Sequence, residues 1–299
     1  MNVGRYHPVF TTYKSYQVQP VNKILEFGSS FSKREDVYLP SIKLKDVDMG
    51  KKNLKDSLGD RMKTNYESVP NIKLTRRMPM IIRLDGKAFH TFTKKFDRPF
   101  DVELADMMVE VTKYLVENIQ GCKLGFQQSD EISLLVTDYD TLKTDSWFDK
   151  KVLKMTSIAA SMATMKFQQL LNDGWINKDK LITYDAMFDA RVFTIPKEEV
   201  CNYFIWRQQD ATRNSIQMLG QAHFSHNQLH KKSCSNIQDM LMEKHNINWN
   251  DVPTRFKRGS CCYYSAEEGC VIIDNEINIF TQDRDFIDQF VNIGLIDVE

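Results

Sequence analysis

No apolar run in this chain approaches the roughly 20 residues that a membrane-spanning helix needs, so no such helix is expected. Net charge is absent too. Lys and Arg together number 40, as do Asp and Glu. A nucleic-acid partner therefore draws no support from overall charge and has to rest on local basic patches. None of the six cysteines (Cys122, Cys201, Cys234, Cys261, Cys262 and Cys270) forms a Cys-x-x-Cys pair, and no His sits at finger spacing beside them. That argues against a zinc site and for reduced, mostly buried thiols in an intracellular protein. Internal repeats and low-complexity tracts are also missing.

Acidic residues are lacking before Glu26, while hydroxyl residues are frequent there. Such a start has the composition of a mitochondrial transit segment. Its scarce arginine and poor amphipathic pattern fit a disordered or loosely docked extension instead. Residues 1–53 are read as an extension of one of these two kinds, leaving cytoplasmic and mitochondrial locations both open. Residues 54–299 are read as the folded domain, and an apolar content of 42% is enough to build its core.

From residue 54 the pattern becomes regular. Asn53 to Lys63 has the spacing of a short amphipathic helix. Met80-Ile81-Ile82-Arg83-Leu84 is a short apolar run stopped by Asp85-Gly86, as a buried strand ending in a turn would be. Asp101 is placed to cap a helix running to Ile119, with Leu104, Met107, Met108, Val111, Leu115 and Ile119 on one face. Strand-like runs at Cys122–Phe126 and Ile132–Val136 flank a connection of hairpin length, Gln127 to Glu131. A long helical pattern at 146–171 and a strand at Phe188–Ile195, stopped by Pro196, complete the series. Strand, helix, strand, strand, helix, strand is the α+β, ferredoxin-like βαββαβ order of a polymerase-type palm, expected over about 79–196. Helices at about 198–228 and 235–246 and a strand pair at 260–273 are expected in the remainder, about 197–299.

In that order the first and third strands are neighbours, so Asp85 and Asp130 meet at one sheet edge. Mg²⁺ takes oxygen ligands, commonly one or two carboxylates completed by substrate phosphates. Two such ions can clamp the attacking and leaving oxygens of a phosphoryl displacement. Gly86 would let its carbonyl reach a metal and let backbone amides approach a triphosphate, with Lys87 and His90 close behind. Each carboxylate alone also fits an ordinary turn, and nucleotide cyclases use the same placement, so fold alone does not select the reaction. A non-catalytic RNA-binding palm is opposed by the intact Asp85/Asp130 pair. Three basic clusters, Lys150/Lys151/Lys154, His230/Lys231/Lys232 and Arg255/Lys257/Arg258, could track a nucleic-acid backbone or simply face solvent.

Several stretches carry a family likeness: Arg83-Leu84-Asp85-Gly86-Lys87-Ala88-Phe89-His90, Arg98-Pro99-Phe100-Asp101, Gln128-Ser129-Asp130-Glu131, Phe188-Asp189-Ala190-Arg191 and Trp206-Arg207-Gln208-Gln209-Asp210. With them the chain from Leu58 to Tyr264 resembles the tRNA-His guanylyltransferase superfamily. The resemblance implies a nucleotidyltransferase that adds nucleotides to the 5′ end of tRNA with two Mg²⁺ ions. It also implies that Asp85, the Gly86 carbonyl and Asp130 bind the metals. Asp85, Gly86, Lys87, Ala88, Phe89, His90, Ser129 and Asp130 would surround a nucleoside triphosphate, GTP or ATP. His90, Asp101, Lys151 and Lys154 match positions linked to 5′-end activation or tRNA handling, and a homotetramer without membrane association is implied. Where eukaryotic members carry His-Ile-Asn-Asn-Leu-Tyr-Asn, this chain has Thr212-Arg213-Asn214-Ser215-Ile216-Gln217-Met218, and Ile237-Gln238-Asp239 stands near the place of a later Lys-Asn-Glu. That departure looks like the Thg1-like branch, which implies templated 3′-to-5′ repair; strict, non-templated addition of G to tRNA-His is the alternative.

Overall fold

In this computed structural model, residues 57–181 and 185–292 are described; the expected extension at residues 1–53 lies outside them. In chain order the elements are α1 (Leu58–Met62), β1 (Met80–Gly86), α2 (Phe89–Phe92), α3 (Val102–Asn118), β2 (Cys122–Gln128), β3 (Glu131–Val136), α4 (Val152–Asn172), β4 (Phe188–Thr194), α5 (Lys197–His223), α6 (His226–Leu229), α7 (Cys234–His245), α8 (Thr254–Arg258), β5 (Ser260–Ser265), β6 (Cys270–Asp274) and α9 (Asp285–Asp288). The strands form one sheet in the order β4-β1-β3-β2-β5-β6, antiparallel at every neighbour. The terminal strand pair thus extends this sheet from the β2 edge.

Alternation along the strands divides the core into two layers. Met80, Ile82 and Leu84 of β1 and Ile132, Leu134 and Val136 of β3 join Met107, Met108, Val111 and Leu115 of α3 and Met155, Ala159 and Phe167 of α4. Ile81 and Leu135 point the other way, joining Leu124 and Phe126 of β2 and Val200, Phe204 and Ala211 of α5. Phe204 is fully buried, a burial that stabilises by about 1.5–3 kcal/mol. Gly125 admits α3 closely, because a Cβ there would meet Thr112 Cγ2 at 2.7 Å. Beyond the sheet, Ile216 and Leu219 of α5 pack with Ile237 and Leu241 of α7.

Several expectations need correction. The segment expected as one helix over 198–228 breaks after His223, where Ser225 opens α6 with a capping box to Gln228. No residue of α1 is buried, so its amphipathic spacing does not serve this core. The helix expected from Ser146 begins at Val152, because Phe148, Asp149 and Lys150 have φ of 48°, 53° and 52°. Lys150 is not a surface cation. It is 2% exposed, its Nζ donates to the carbonyls of Thr75 and Met78 at 2.9 Å, and it pairs with Asp138 at 3.1 Å. The Arg255/Lys257/Arg258 cluster is likewise engaged with the fold. Arg255 pairs with Asp106, Lys257 donates to the Asn250 carbonyl, and Arg258 donates to the Ile277 carbonyl. His230, Lys231 and Lys232 are exposed. Cys201, Cys261 and Cys262 are buried, but Cys270 is exposed, and all six thiols are free. Among the described residues no helix is long and apolar enough to cross a membrane.

Candidate active site

β1 runs out of apolar residues at Leu84, and its last two residues stand at the sheet edge beside the β2–β3 hairpin. Gln128 pairs with Glu131, so the turn is only Ser129-Asp130, with Ser129 at φ 54°. The left-handed turn lifts Asp130 onto the edge beside β1. The Gly86 N–H donates to the Asp130 carbonyl at 3.1 Å, and the Lys87 N–H donates to the Met187 carbonyl at 2.8 Å. Asp85 lies opposite Glu131 on one side and Asp189 on the other. The two carboxylates proposed from sequence are therefore neighbours.

Their electrostatics favour a cation. Burial raises the Asp130 pKa above the ordinary carboxylate value, and the charges of Asp85 and Glu131 raise it further. Arg191 stands 3.8 Å from Asp85 and 3.9 Å from Asp189, exposed on the edge strand. Among the described residues no three His, Cys, Asp or Glu side chains form a metal-holding group. A cation at Asp85 and Asp130 would complete its shell with carbonyl, water and phosphate oxygens, which suits Mg²⁺. Gly86 is required by space. A Cβ there would lie 2.3 Å from Phe89 Cδ2, and Phe89 is itself wedged against Phe92, Phe167 and Phe188. Ala88 takes a left-handed conformation that starts α2, leaving Lys87, Ala88 and His90 exposed beside the exposed Ser129.

Two clefts meet at Asp130. One, on the α2 side, is walled by Phe89, His90, Arg98, Pro99, Asp101, Ser129 and Asp130, with Met218, Gln221 and Ala222 of α5 closing it. The other, on the α5 side, is lined by Asp85, Asp130, Glu131, Arg207, Asp210, Asn214, Gln217 and Gln221. Glu131 accepts from Arg207 Nη2 at 3.0 Å and also pairs with Arg83; Arg207 Nη2 in turn donates to Asp210 at 2.8 Å. Trp206 lies against these cations, 4.3 Å from the Arg207 guanidinium. The part played by Arg191 and by α5 is not visible from residue spacing, although both fall in stretches singled out by resemblance.

Of the remaining expected residues, Asp101 lines the α2-side cleft with His90 and Asp130, whereas Lys151 and Lys154 stand apart from the carboxylates. Asp101 is the buried N-cap of α3; it accepts from the Leu104 and Asp97 N–H groups at 3.0 Å and from Lys180 Nζ at 2.9 Å. Burial opposes its ionisation, yet these three donors hold its pKa below the ordinary value. Lys151 caps α4 and Lys154 lies over the Phe148 ring. Lys150, the residue before Lys151, bonds Thr75 and Met78, which precede β1, whereas Asp85 lies near its end. At about 3.3 Å per residue, the length of β1 puts the start of α4 about 20 Å from the carboxylates.

Comparison with known proteins is specific. A family model described as tRNAHis guanylyltransferase (Thg1) matches residues 59–196. A bacterial tRNA(His) guanylyltransferase (Thg1)-like protein solved in complex with ATP is 47% identical, with a TM-score of 0.74, covering 80% of this chain and 100% of that one. A structure so described in complex with GTP is 44% identical, with a TM-score of 0.68, covering 79% and 99%. The tRNA(His) guanylyltransferase of Debaryomyces hansenii is 26% identical over 60% of this chain and 71% of its own length.

Proposed function

Since the chain belongs to the tRNA(His) guanylyltransferase (Thg1) family of nucleotidyltransferases, we propose that it extends the 5′ end of tRNA in the 3′-to-5′ direction, choosing each nucleotide by pairing with the opposing strand. The observation that carries this reading is the pairing of Asp85 with Asp130 through the Gly86–Asp130 backbone bond. The order β4-β1-β3-β2, with α3 and α4 in the same core layer, supports reading residues 79–196 as a ferredoxin-like palm.

Asp85, Asp130 and the Gly86 carbonyl would hold two Mg²⁺ ions. When bound, such ions neutralise the charge on a transferring phosphoryl group and steady its attacking and leaving oxygens. The α2-side cleft takes the nucleoside triphosphate, ATP for activation and GTP or another nucleotide for addition. Lys87 and His90 meet its phosphates, Ala88 and Phe89 set the turn that aims the backbone amides, and Ser129 closes the opposite wall. In activation, an oxygen of the RNA 5′-monophosphate attacks the ATP α-phosphorus and pyrophosphate leaves. In addition, the 3′ hydroxyl of the incoming nucleotide attacks the activated 5′ phosphorus and AMP leaves.

Asp101 acts here as a positioning residue, because its bond to the Asp97 N–H steadies the Asp97–Pro99 wall of the α2-side cleft. Lys151 and Lys154 serve the tRNA body rather than the triphosphate. The solvent-facing Leu58, Met62, Tyr66, Val69 and Ile72 support assembly with further copies, as a homotetramer. Two observations favour templated repair over strict guanylyltransfer: the Thr212–Met218 stretch, and the higher identity to the bacterial Thg1-like protein than to the Debaryomyces enzyme. The test is incubation of the protein with a tRNA lacking its first nucleotide, ATP, all four nucleotides and Mg²⁺. Sequencing should find growth at the 5′ end; growth at the 3′ end, or none, refutes the reading.

A further inference from the structure

The two clefts that meet at Asp130 differ in the polar groups they present, and the difference assigns their occupants. The α2-side cleft has His90 and Arg98 in its wall, with exposed Lys87 nearby, and its Asp97 and Asp101 are paired with Lys180. The α5-side cleft has Asp85, Asp130, Glu131 and Asp210, and arginines pair with three of these: Arg191 with Asp85, Arg83 and Arg207 with Glu131, and Arg207 and Arg213 with Asp210. What the α5 wall offers is three neutral amides, Asn214, Gln217 and Gln221, the last of them shared with the α2-side cleft. Their i, i+3, i+7 spacing puts them in one row on the helix, and none has a hydrogen-bond partner among the described residues.

Each carboxamide carries donors and an acceptor side by side, the pattern that matches a base edge or ribose hydroxyls. The row is also held firmly. Ser215 Oγ accepts from Trp249 Nε1 at 3.1 Å behind it. At Gly220 a Cβ would meet Ile237 Cγ2 at 2.7 Å, so α7 packs directly on the rear of α5. The helix backbone is thereby fixed, so ordering on binding falls on the amide side chains.

Resting on the reaction given above, we propose that the α5-side cleft receives the terminal nucleoside of the RNA 5′ end, and that Asn214, Gln217 and Gln221 hydrogen-bond its base and sugar. The arrangement presents the RNA 5′ phosphate and the nucleotide to the carboxylate pair from opposite sides, as transfer between two substrates requires.

The experiment uses the full chain with a 5′-truncated tRNA and measures KM for RNA and for ATP separately, together with binding of a fluorescent ATP analogue. Two lost hydrogen bonds predict a rise of ~10-fold in the RNA KM for the double variant Asn214→Ala/Gln217→Ala, with ATP KM and analogue binding unchanged. Gln217→Glu, which keeps the side-chain size but removes the donors, should raise the RNA KM as well; a role in helix packing alone would leave it normal. An active wild-type protein whose double variant keeps its RNA KM, or loses ATP binding instead, overturns this assignment. A wild-type protein that adds nothing to RNA overturns the reaction itself, a distinct result.

Discussion

The Gly86 N–H donates to the Asp130 carbonyl at 3.1 Å. This one bond ties the end of β1 to the turn between β2 and β3, so two carboxylates 45 positions apart in sequence share a site (130 − 85). Activity should depend on both side chains. Asp85→Asn and Asp130→Asn should each lower nucleotide addition by ~10²-fold or more, the scale seen when one electrostatic contact to a transition state is removed. Circular dichroism should stay native, because neither side chain is part of an apolar cluster. Near-normal turnover in either variant would contradict the assignment.

The same pair should be a stability liability without metal. The folded Asp130 pKa lies above its ordinary value, owing to burial and then to Asp85 and Glu131. An acid raised on folding binds its proton more tightly in the folded state, so its ionised form costs stability at neutral pH. In EDTA at pH 7, Asp130→Asn should melt above the wild type. Mg²⁺ should raise the wild-type Tm and leave the variant's unchanged; a Tm gain of equal size in both would mean that the cation binds elsewhere.

Gly86→Ala should separate shape from charge. The added methyl meets Phe89, which Phe92, Phe167 and Phe188 prevent from yielding. Overpacking of this kind costs about 1–3 kcal/mol and displaces the backbone that joins β1 to Asp130. Denaturant unfolding should report that loss, with activity falling further than stability. A variant as stable and as active as the wild type would show that the wedge has room.

Acid should loosen the α2-side cleft at Asp101 and the approach to α4 at Asp138. Asp101 and Asp138 both have folded-state pKa values below the ordinary 3.8, despite burial; the cause is donors on Leu104, Lys180 and Asp97 for the first, and on Ser146, Arg77 and Lys150 for the second. A depressed acid stabilises above its unfolded value, and that stability disappears as pH falls through the folded value. Stability measured by urea unfolding should therefore fall below pH 3.8. Asp101→Asn keeps the helix cap and loses the charge, so its curve should be flatter over that range. Parallel curves would remove Asp101 as a contributor.

The three lysines at the start of α4 should behave oppositely. Changing Lys151 and Lys154 together to Ala should reduce the log–log salt slope of tRNA binding by up to ~2, one counterion or slightly less per contact, with stability kept. Lys150→Ala should instead lower stability, since it leaves Asp138 buried without its charge partner. An unchanged slope in the double variant would mean that these side chains only face solvent.

The contrast among these lysines marks where sequence reading runs out. Asp101 as a cap, the buried face of α3 and the nearness of Asp85 to Asp130 follow from short-range pattern and strand order. Lys150 reads as surface because its partners, Thr75, Met78 and Asp138, are distant in sequence, and a short left-handed stretch turns it inward. Periodicity showed that α5 is helical but not which sheet face it covers. The second cleft, which needs the hairpin and α5 together, was therefore out of reach. Residues 1–53 remain an expectation from composition alone.

The most direct test of templated 3′-to-5′ addition is a substrate swap. A tRNA lacking its first nucleotide is prepared with C, and then with A, opposite the gap, and the added nucleotide is sequenced. Pairing-directed choice predicts G opposite C and U opposite A. Addition of G in both cases would contradict the account and leave a strict tRNA-His guanylyltransferase.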